Sequence, residues 1–369
     1  MLVTSGPWKT DGRKGRDRVV LELQRREGML NIELSYTAGE LTAPSTISGG
    51  VIARFMELRG RRIIEGGGAL WHSVEMGFFM SCPYHHRLSP DREELERMLW
   101  QVKAVGMRFP SLSCPGLPSG VYLYEKKSYG FRSIHPSYRQ KVHKGLNCLE
   151  VREVEPSELL AQGLRLNLDT MSRQGRYDSE FGDPPKWNRL VEAIRRTQGI
   201  STVGAFLGDR LAGYVILCRE NRALHILHQM SRTEDLKYYP NHTLTFEVTR
   251  RAAEDPEIDL ICYGLESLVQ GPGLHNYKLD FGYEFSQHNS IVVLHPWVTW
   301  LSNSRSRAFL RGIRKLRPRD QRLERVETVL RTTAFLEQKC AVEMTPIAAC
   351  RGTETASSDN NHEPFTNNT

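Results

Sequence analysis

From Cys148 onward the apolar positions switch between a two-residue and a three-to-four-residue spacing, and each switch marks an element. CLEVREVE reads as a strand. PSELLAQGLRLNLDTMSRQG reads as a helix with proline at its first position, and DPPKWNRLVEAIRRTQG as a second one that ends on glycine. STVGAFLGDRLAGYVILCRE is a hairpin about the turn GDR, and ALHILHQMSR adds a third strand to it. NHTLTFEVTRRAAED is a helix with Asn241 placed as its N-cap. IDLICYGLES is a continuous apolar run of the kind buried on both faces of a sheet. GLHNYKLDFG is a short helix, and YEFSQHNSIVVLHPW the last strand. The succession predicts an α/β protein with a mixed sheet.

Upstream the pattern is less regular. RRIIEGGGALWHSVEMGFFMSCP alternates apolar runs with glycine, as strands joined by turns do. SPDREELERMLWQVKAVG carries Leu95, Met98, Leu99 and Val102 at helical spacing behind a Ser-Pro start. MRFPSLSC and SGVYLYEK read as strands, and HPSYRQKVHKGL as a basic helix ended by Gly145. Residues 1–50 show little beyond two short strands in VVLELQ and MLNIELSY. From Arg351 the chain is polar and nearly free of large apolar residues, and residues 341–369 are expected to form a disordered tail.

The chain has 369 residues, 39% of them hydrophobic and 25% charged, which suits a soluble globular protein of about two domains. No apolar run approaches the roughly 20 residues of a membrane span, and the basic N-terminus lacks the apolar stretch of a secretory signal. Seven scattered cysteines form no C-x-x-C pair, so their spacing shows neither a zinc motif nor a disulfide framework. A reducing cytoplasm is the expected compartment. The net charge of +7 is local: residues 305–325 hold nine Arg or Lys against two acids, leaving 41 bases and 41 acids elsewhere. That segment repeats an apolar stripe at Phe309, Ile313 and Leu316 and at Leu323, Val326 and Leu330, behind Trp297 and Trp300. Such a helix suits the plane of an anionic membrane, at the inner face, or docks on the core with its arginines in water. Charge confined to one segment does not support a general nucleic-acid footprint.

The element order from 148 to 295 resembles the GNAT (N-acetyltransferase) fold. Three stretches narrow the resemblance to its Fem-type, or cellulose-biosynthesis-associated, bacterial branch, in which two GNAT-like halves are fused. YRQKVHKGL at 138–146 looks like that branch's basic linking helix, LGDRLAGYVIL at 207–217 like its second-to-third-strand hairpin, and GLHNYKLDFGYE at 271–284 like its lysine–phenylalanine–glycine signature. The resemblance implies tandem GNAT-like halves, the second complete and the first degenerate. It divides the chain into an extension (1–50), a first half with the linking helix (51–147), the acyltransferase half (148–296), a basic amphipathic segment (297–340) and the tail (341–369). It also implies that Lys278 lies in a tunnel between donor and acceptor, where a fixed cation stabilises the oxyanion of acyl transfer. The competing reading is a lysine capping a helix end.

Other candidate residues follow from position. Glu266 and Tyr263 end the apolar strand, where α/β ligands gather, and Glu266 is the better candidate base. Alternation along ALHILHQMSR puts His225 and Gln229 on one face and His228 on the other, as substrate contacts and a further candidate base, or as histidines bonded within the sheet. Where acetyl-CoA-using relatives carry a glycine-rich loop, this chain reads KYYPNHTLTF, with no glycine and with Pro240, which has no N–H. Lys237, Tyr239 and the helix start at Asn241, His242, Thr243 and Leu244 remain as the donor-phosphate site. Arg139, Lys141 and Lys144 are candidates for a substrate phosphate, or form a solvated helix face. Arg176, Tyr177 and Trp187, beside Tyr277, are candidates for an acceptor cleft, or belong to a plain linker.

Together these residues predict an acyltransferase that joins an activated acyl group to an amine or hydroxyl of a glycan, lipid or peptide acceptor. Acyl-CoA is the expected donor, acyl carrier protein the next and aminoacyl-tRNA the third; no metal is expected. The alternative is a non-catalytic module that binds an anionic glycan or lipid.

Overall fold

The computed structural model describes residues 49–74, 77–266, 272–296 and 298. The strands expected in 1–48, Trp297, Trp300, the basic segment 305–325 and the tail 341–369 lie outside the described residues. The first half contributes α1 (Gly50–Leu58), β1 (Ile63–Gly66), β2 (Ala69–Ser73), β3 (Phe78–Cys82), α2 (Arg92–Val102), β4 (Gly106–Ser111) and β5 (Leu117–Tyr124). Then come α3 (Pro136–Cys148), β6 (Glu150–Glu153), α4 (Pro156–Arg173), α5 (Ser179–Gly182), α6 (Pro184–Arg196), β7 (Ile200–Leu207), β8 (Arg210–Glu220) and β9 (Ala223–Ser231). A 3₁₀ turn (Thr233–Tyr238), α7 (Pro240–Glu254), β10 (Leu260–Leu265), α8 (Pro272–Asp280) and β11 (Glu284–Leu294) complete the described chain. Among the described residues no helix is long and apolar enough to cross a membrane.

The strands form one mixed sheet in the order β1-β2-β3-β4-β11-β5-β10-β9-β8-β7-β6. β5 of the first half sits between β10 and β11 of the second, and β11 pairs with β4 as well. The two halves are therefore interleaved in one sheet. One apolar core, built on Phe55, Trp187, Leu190 and Tyr214, fills the space between α1, α4, α6 and one face. A second, with Leu244, Phe246, Val215 and Phe281, lies under α3 and α7 on the other face. A third packs α2 onto β2, β4 and β11 through Leu95, Leu99, Trp71 and Met107.

Two helices escaped the sequence pattern. The start of α1 carries no acid and no capping side chain of its own. The carboxylate of Glu220, at the end of β8, supplies the cap instead, accepting from the amides of Gly49 (3.1 Å), Val51 (2.8 Å) and Ile52 (3.2 Å). The other, α5, is a single turn inside the expected loop, capped by Asp178.

Two terminal assignments change. Helix α7 begins at Pro240, and the residue before it, Tyr239, takes the left-handed conformation (φ 57°) without a side-chain cap. Asn241 thus lies inside the first turn and is not the N-cap; proline occupies the first position because its missing N–H costs nothing there. Gly145 does not end α3, which runs on to Cys148. Its missing side chain is where α3 crosses α7: a Cβ there would overlap Thr243 Oγ1 and approach Tyr238 O to 3.0 Å. Gly145→Ala should therefore force α3 off α7 and cost about 1–3 kcal/mol. Urea unfolding measures this, and an unchanged midpoint would refute the close crossing.

Candidate active site

The register of β9 against β10 creates the site. These parallel strands pair only at Leu260–Ala223, Ile261–Leu224 and Cys262–His225. Beyond that rung they part, and Gly264 takes a left-handed conformation (φ 72°) where β10 also slips register against β5. A cleft of about 1120 Å³ opens in the split. Ile226 to Gln229 line one side of it and Tyr263 to Leu265 the other, with Met80, Tyr84, Gln174, Arg176, Asn241, His242, Leu274, Tyr277 and Lys278 around them.

Lys278 enters this cleft from α8 for a reason visible in KLDFGY. Gly282 (φ 83°) closes the helix: its N–H donates to Leu279 C=O (2.8 Å), and the Tyr283 N–H donates to Lys278 C=O (3.2 Å). Phe281 and Tyr283 are buried behind it, which turns the lysine inward. Lys278 is 5% exposed, and its Nζ lies 4.1 Å from the ring centre of Tyr122 and 5.1 Å from that of Tyr263. Among the described residues no carboxylate pairs with it. Burial pulls its pKa down from 10.5 to about 8, partly opposed by Cys262 and Glu266. At neutral pH it is still protonated, by roughly ten to one.

Around it runs a fixed polar network. Tyr263 donates to Gln229 Oε1 (2.6 Å), and Gln229 Nε2 donates to the carbonyl of Asn241 (3.0 Å). Tyr277 donates to the same carbonyl (3.1 Å), and Thr245 Oγ1 lies 3.2 Å from Tyr263 Oη and 3.0 Å from Tyr277 Oη. Burial pushes Tyr263 up to about 12 and Tyr277 well above its ordinary value, so both hydroxyls remain donors. Glu266 is half-buried at the end of β10, its backbone N–H bonded to Gly120 C=O (2.8 Å) and its charge felt by Lys278 and Tyr122.

The start of α7 forms one end of the cleft. Its Asn241 Oδ1 is buried without a partner, and His242, held near pKa 4 by burial and Lys141, packs among Tyr138, Tyr239, Tyr277 and Phe281. Thr243 and Leu244 are fully buried in the contact with α3 and the sheet, and the Thr243 amide already donates to Tyr239 C=O (3.1 Å). Of the expected donor-phosphate residues these two offer no side chain to the cleft. In exchange α3 brings Lys144 to 5.6 Å from the Tyr239 ring and Lys141 to 4.7 Å from that of Tyr138. Lys237 lies exposed over Tyr238 (5.1 Å). Arg139 stays apart, its Nε bonded to Ile134 C=O (3.3 Å).

Several expectations need correction. A bulge, with Leu217 facing Ile226 and Ile216 facing His228, inserts a residue into β9 and breaks the alternation. Gln229 turns toward α7, while His225 and His228 both face the other side. His225 does not reach the cleft; it is buried against His85 and Tyr84. His228 does, stacked on Phe181 at 3.7 Å, but burial lowers it to about 3, which leaves a neutral and weak base. Trp187 is a core residue with no exposure, against Gly163 and Tyr214. Tyr177 is 59% exposed and covers Gly182; of that loop only Arg176 and Gln174 line the cleft. Sequence reading missed Tyr122, whose hydroxyl bonds His275 Nδ1 (2.8 Å) and whose ring faces Lys278. Nothing local marked it, because β5 reaches the site only through the interleaved sheet.

Strand, two main helices, meander, helix, split strand, helix, strand is the observed order of β6 to β11. That is the order expected from the sequence. No family model and no curated protein matches the chain. Among solved structures it is similar to FemX, at 12% identity and a TM-score of 0.48, over 70% of this chain and 94% of that one. L-PGS from Bacillus licheniformis follows at 8% and 0.47, over 65% and 86%. A tandem GNAT protein from the clavulanic acid biosynthesis pathway is similar at 10% and 0.37, over 63% and 82%.

The burial of Lys278 has a consequence for stability. The unfolded chain holds that proton up to about pH 10.5, whereas the folded chain releases it near pH 8, so stability rises with pH across that window. Lys278→Met removes the effect. By urea unfolding the variant should be more stable than the native chain by on the order of 2–3 kcal/mol below pH 8, and the gap should close toward pH 10.5. A pH-independent gap would show that the ammonium group is hydrated.

Proposed function

We propose that the protein is an acyl- or aminoacyl-transferase and that the β9/β10 cleft is where the acyl group changes hands. The observation that carries this is Lys278: a protonated, nearly dehydrated amine caged by Tyr122 and Tyr263 in the wall of a cleft large enough for two substrates. A cation kept out of water without an ion partner is costly to the fold, and it repays that cost when negative charge forms beside it.

The reaction is written as direct transfer. The lone pair of an acceptor amine or hydroxyl attacks the carbonyl carbon of the activated acyl group, and the carbonyl electrons move to oxygen. Lys278 stabilises that oxyanion. Glu266, whose charge reaches Lys278 from the end of β10 without pairing with it, takes the proton the nucleophile loses, and collapse of the oxyanion expels the thiolate or alkoxide of the donor, which takes up the proton. Tyr263 and Tyr277, locked by Gln229, Thr245 and Asn241, orient the acyl carbonyl. The donor's phosphate end lies at the start of α7, where Lys141, Lys144 and Lys237 supply charge around Tyr239 and His242.

Acyl-CoA is the favoured donor, then acyl carrier protein and aminoacyl-tRNA, and the acceptor is an envelope-type glycan, lipid or peptide. One observation favours the rival reading, a binding module for an anionic glycan or lipid. With Pro240 lacking an N–H and the Thr243 amide already bonded, the start of α7 has few donors left for a pyrophosphate.

Unfolding in the presence of each donor class separates these readings. A true donor at a hundred times its Kd adds about 2.7 kcal/mol of stability; no stabilisation by any acyl donor would support the binding module. With the stabilising donor, Lys278→Met should bind as before and lose turnover by about 10²–10³-fold. Retained turnover would contradict the role of the lysine.

A further inference from the structure

Where β9 and β10 part, three metal-ligating side chains meet. His225 and Cys262 face each other across the last paired rung. His85, in the turn after β3, covers them, its ring centre 5.0 Å from that of His225. The candidate donor atoms of His85, His225 and Cys262 all lie within 4.8 Å of one another. His225 is 1% exposed, yet neither of its ring nitrogens has a hydrogen-bond partner, and His85 Nδ1 is buried without one too. Buried polar atoms are nearly always satisfied, and a ring nitrogen left over this deep in a core needs a partner that the protein does not supply.

We propose that His85, His225 and Cys262 bind a zinc ion that fastens the vertex of the β9/β10 split. Two imidazoles and a thiolate suit zinc, which takes nitrogen and sulfur together in tetrahedral geometry, whereas magnesium and calcium require oxygen. Zinc–ligand bonds of about 2.0–2.3 Å place tetrahedral donors about 3.5 Å apart, so inward shifts of about 1 Å or less close this set. Binding replaces the thiol proton of Cys262, which is released to solvent. Three protein ligands leave a fourth position for water. The ion would lock the turn carrying His85 to both strands at the point where they part. The ligands come from a turn and from two strands adjacent only in the folded sheet, so no C-x-x-C or H-x-x-H spacing marks them. This inference stands whatever the cleft binds.

The full chain, stripped with a chelator and titrated with Co²⁺ in place of zinc, tests it. We expect saturation at one equivalent, with a thiolate-to-cobalt charge-transfer band and tetrahedral ligand-field absorption, both lost on adding Zn²⁺. Cys262→Ser should abolish the charge-transfer band, and His85→Gln, a change in a half-buried turn residue, should weaken Co²⁺ binding at least tenfold while the circular dichroism stays native. Cys148→Ser, at an exposed thiol, should leave the spectrum unchanged. Should Cys262→Ser fail to fold, the native titration and His85→Gln decide. No stoichiometric binding by the native chain, native affinity in His85→Gln, or a charge-transfer band that persists in folded Cys262→Ser or vanishes in Cys148→Ser would overturn the proposal.

Discussion

Moving an ammonium group out of water is unfavourable, and the cleft is arranged around one such group. Lys278 has no ion-paired carboxylate among the described residues; it finds the faces of Tyr122 and Tyr263. Aromatic faces offset part of the lost hydration without cancelling the charge. An ion pair would have stabilised the lysine more and left it electrostatically spent. The aromatic cage keeps the charge available to whatever anion forms next to it, and burial lowers the pKa because the lost hydration is only partly compensated.

That cage depends on the interleaved sheet order. Tyr122 belongs to β5 of the first half, Tyr263 to β10 and Lys278 to the helix before β11, and they meet because β5 is inserted between β10 and β11. A second half folded without β5 would lack one wall of the cage. The same arrangement sets α3 against α7 through Gly145, bringing the lysines of α3 to the start of α7. The strands before α3 are thus part of the cage as well as of the scaffold.

Much of the second half was legible in the sequence because its elements announce themselves locally. Proline opens α4, α6 and α7, Gly208 and Asp209 turn the β7–β8 hairpin, and β10 is an unbroken apolar run. Lys278 was legible for a related reason: Phe281 and Gly282 set its direction within a few residues. What could not be read depends on distant partners. The cap of α1 is Glu220, remote in sequence, and the wall opposite Lys278 is Tyr122. The faces of His225 and Gln229 were misassigned for a subtler reason. A single bulged residue in β9 reverses the faces that strict alternation assigns, and only the register against β8 reveals it. Trp187 looked like a cleft residue because it follows a polar loop, but its burial against Gly163 makes it a core anchor.

The central claim is that one amine is held protonated in a dry aromatic cage. Lysine Cε resonances, followed by carbon-13 NMR from neutral to strongly alkaline pH and assigned by comparison with Lys278→Arg, report that amine directly. A resonance assigned to Lys278 that titrates near pH 8 agrees with the account; one that titrates at 10.5 with the surface lysines contradicts it.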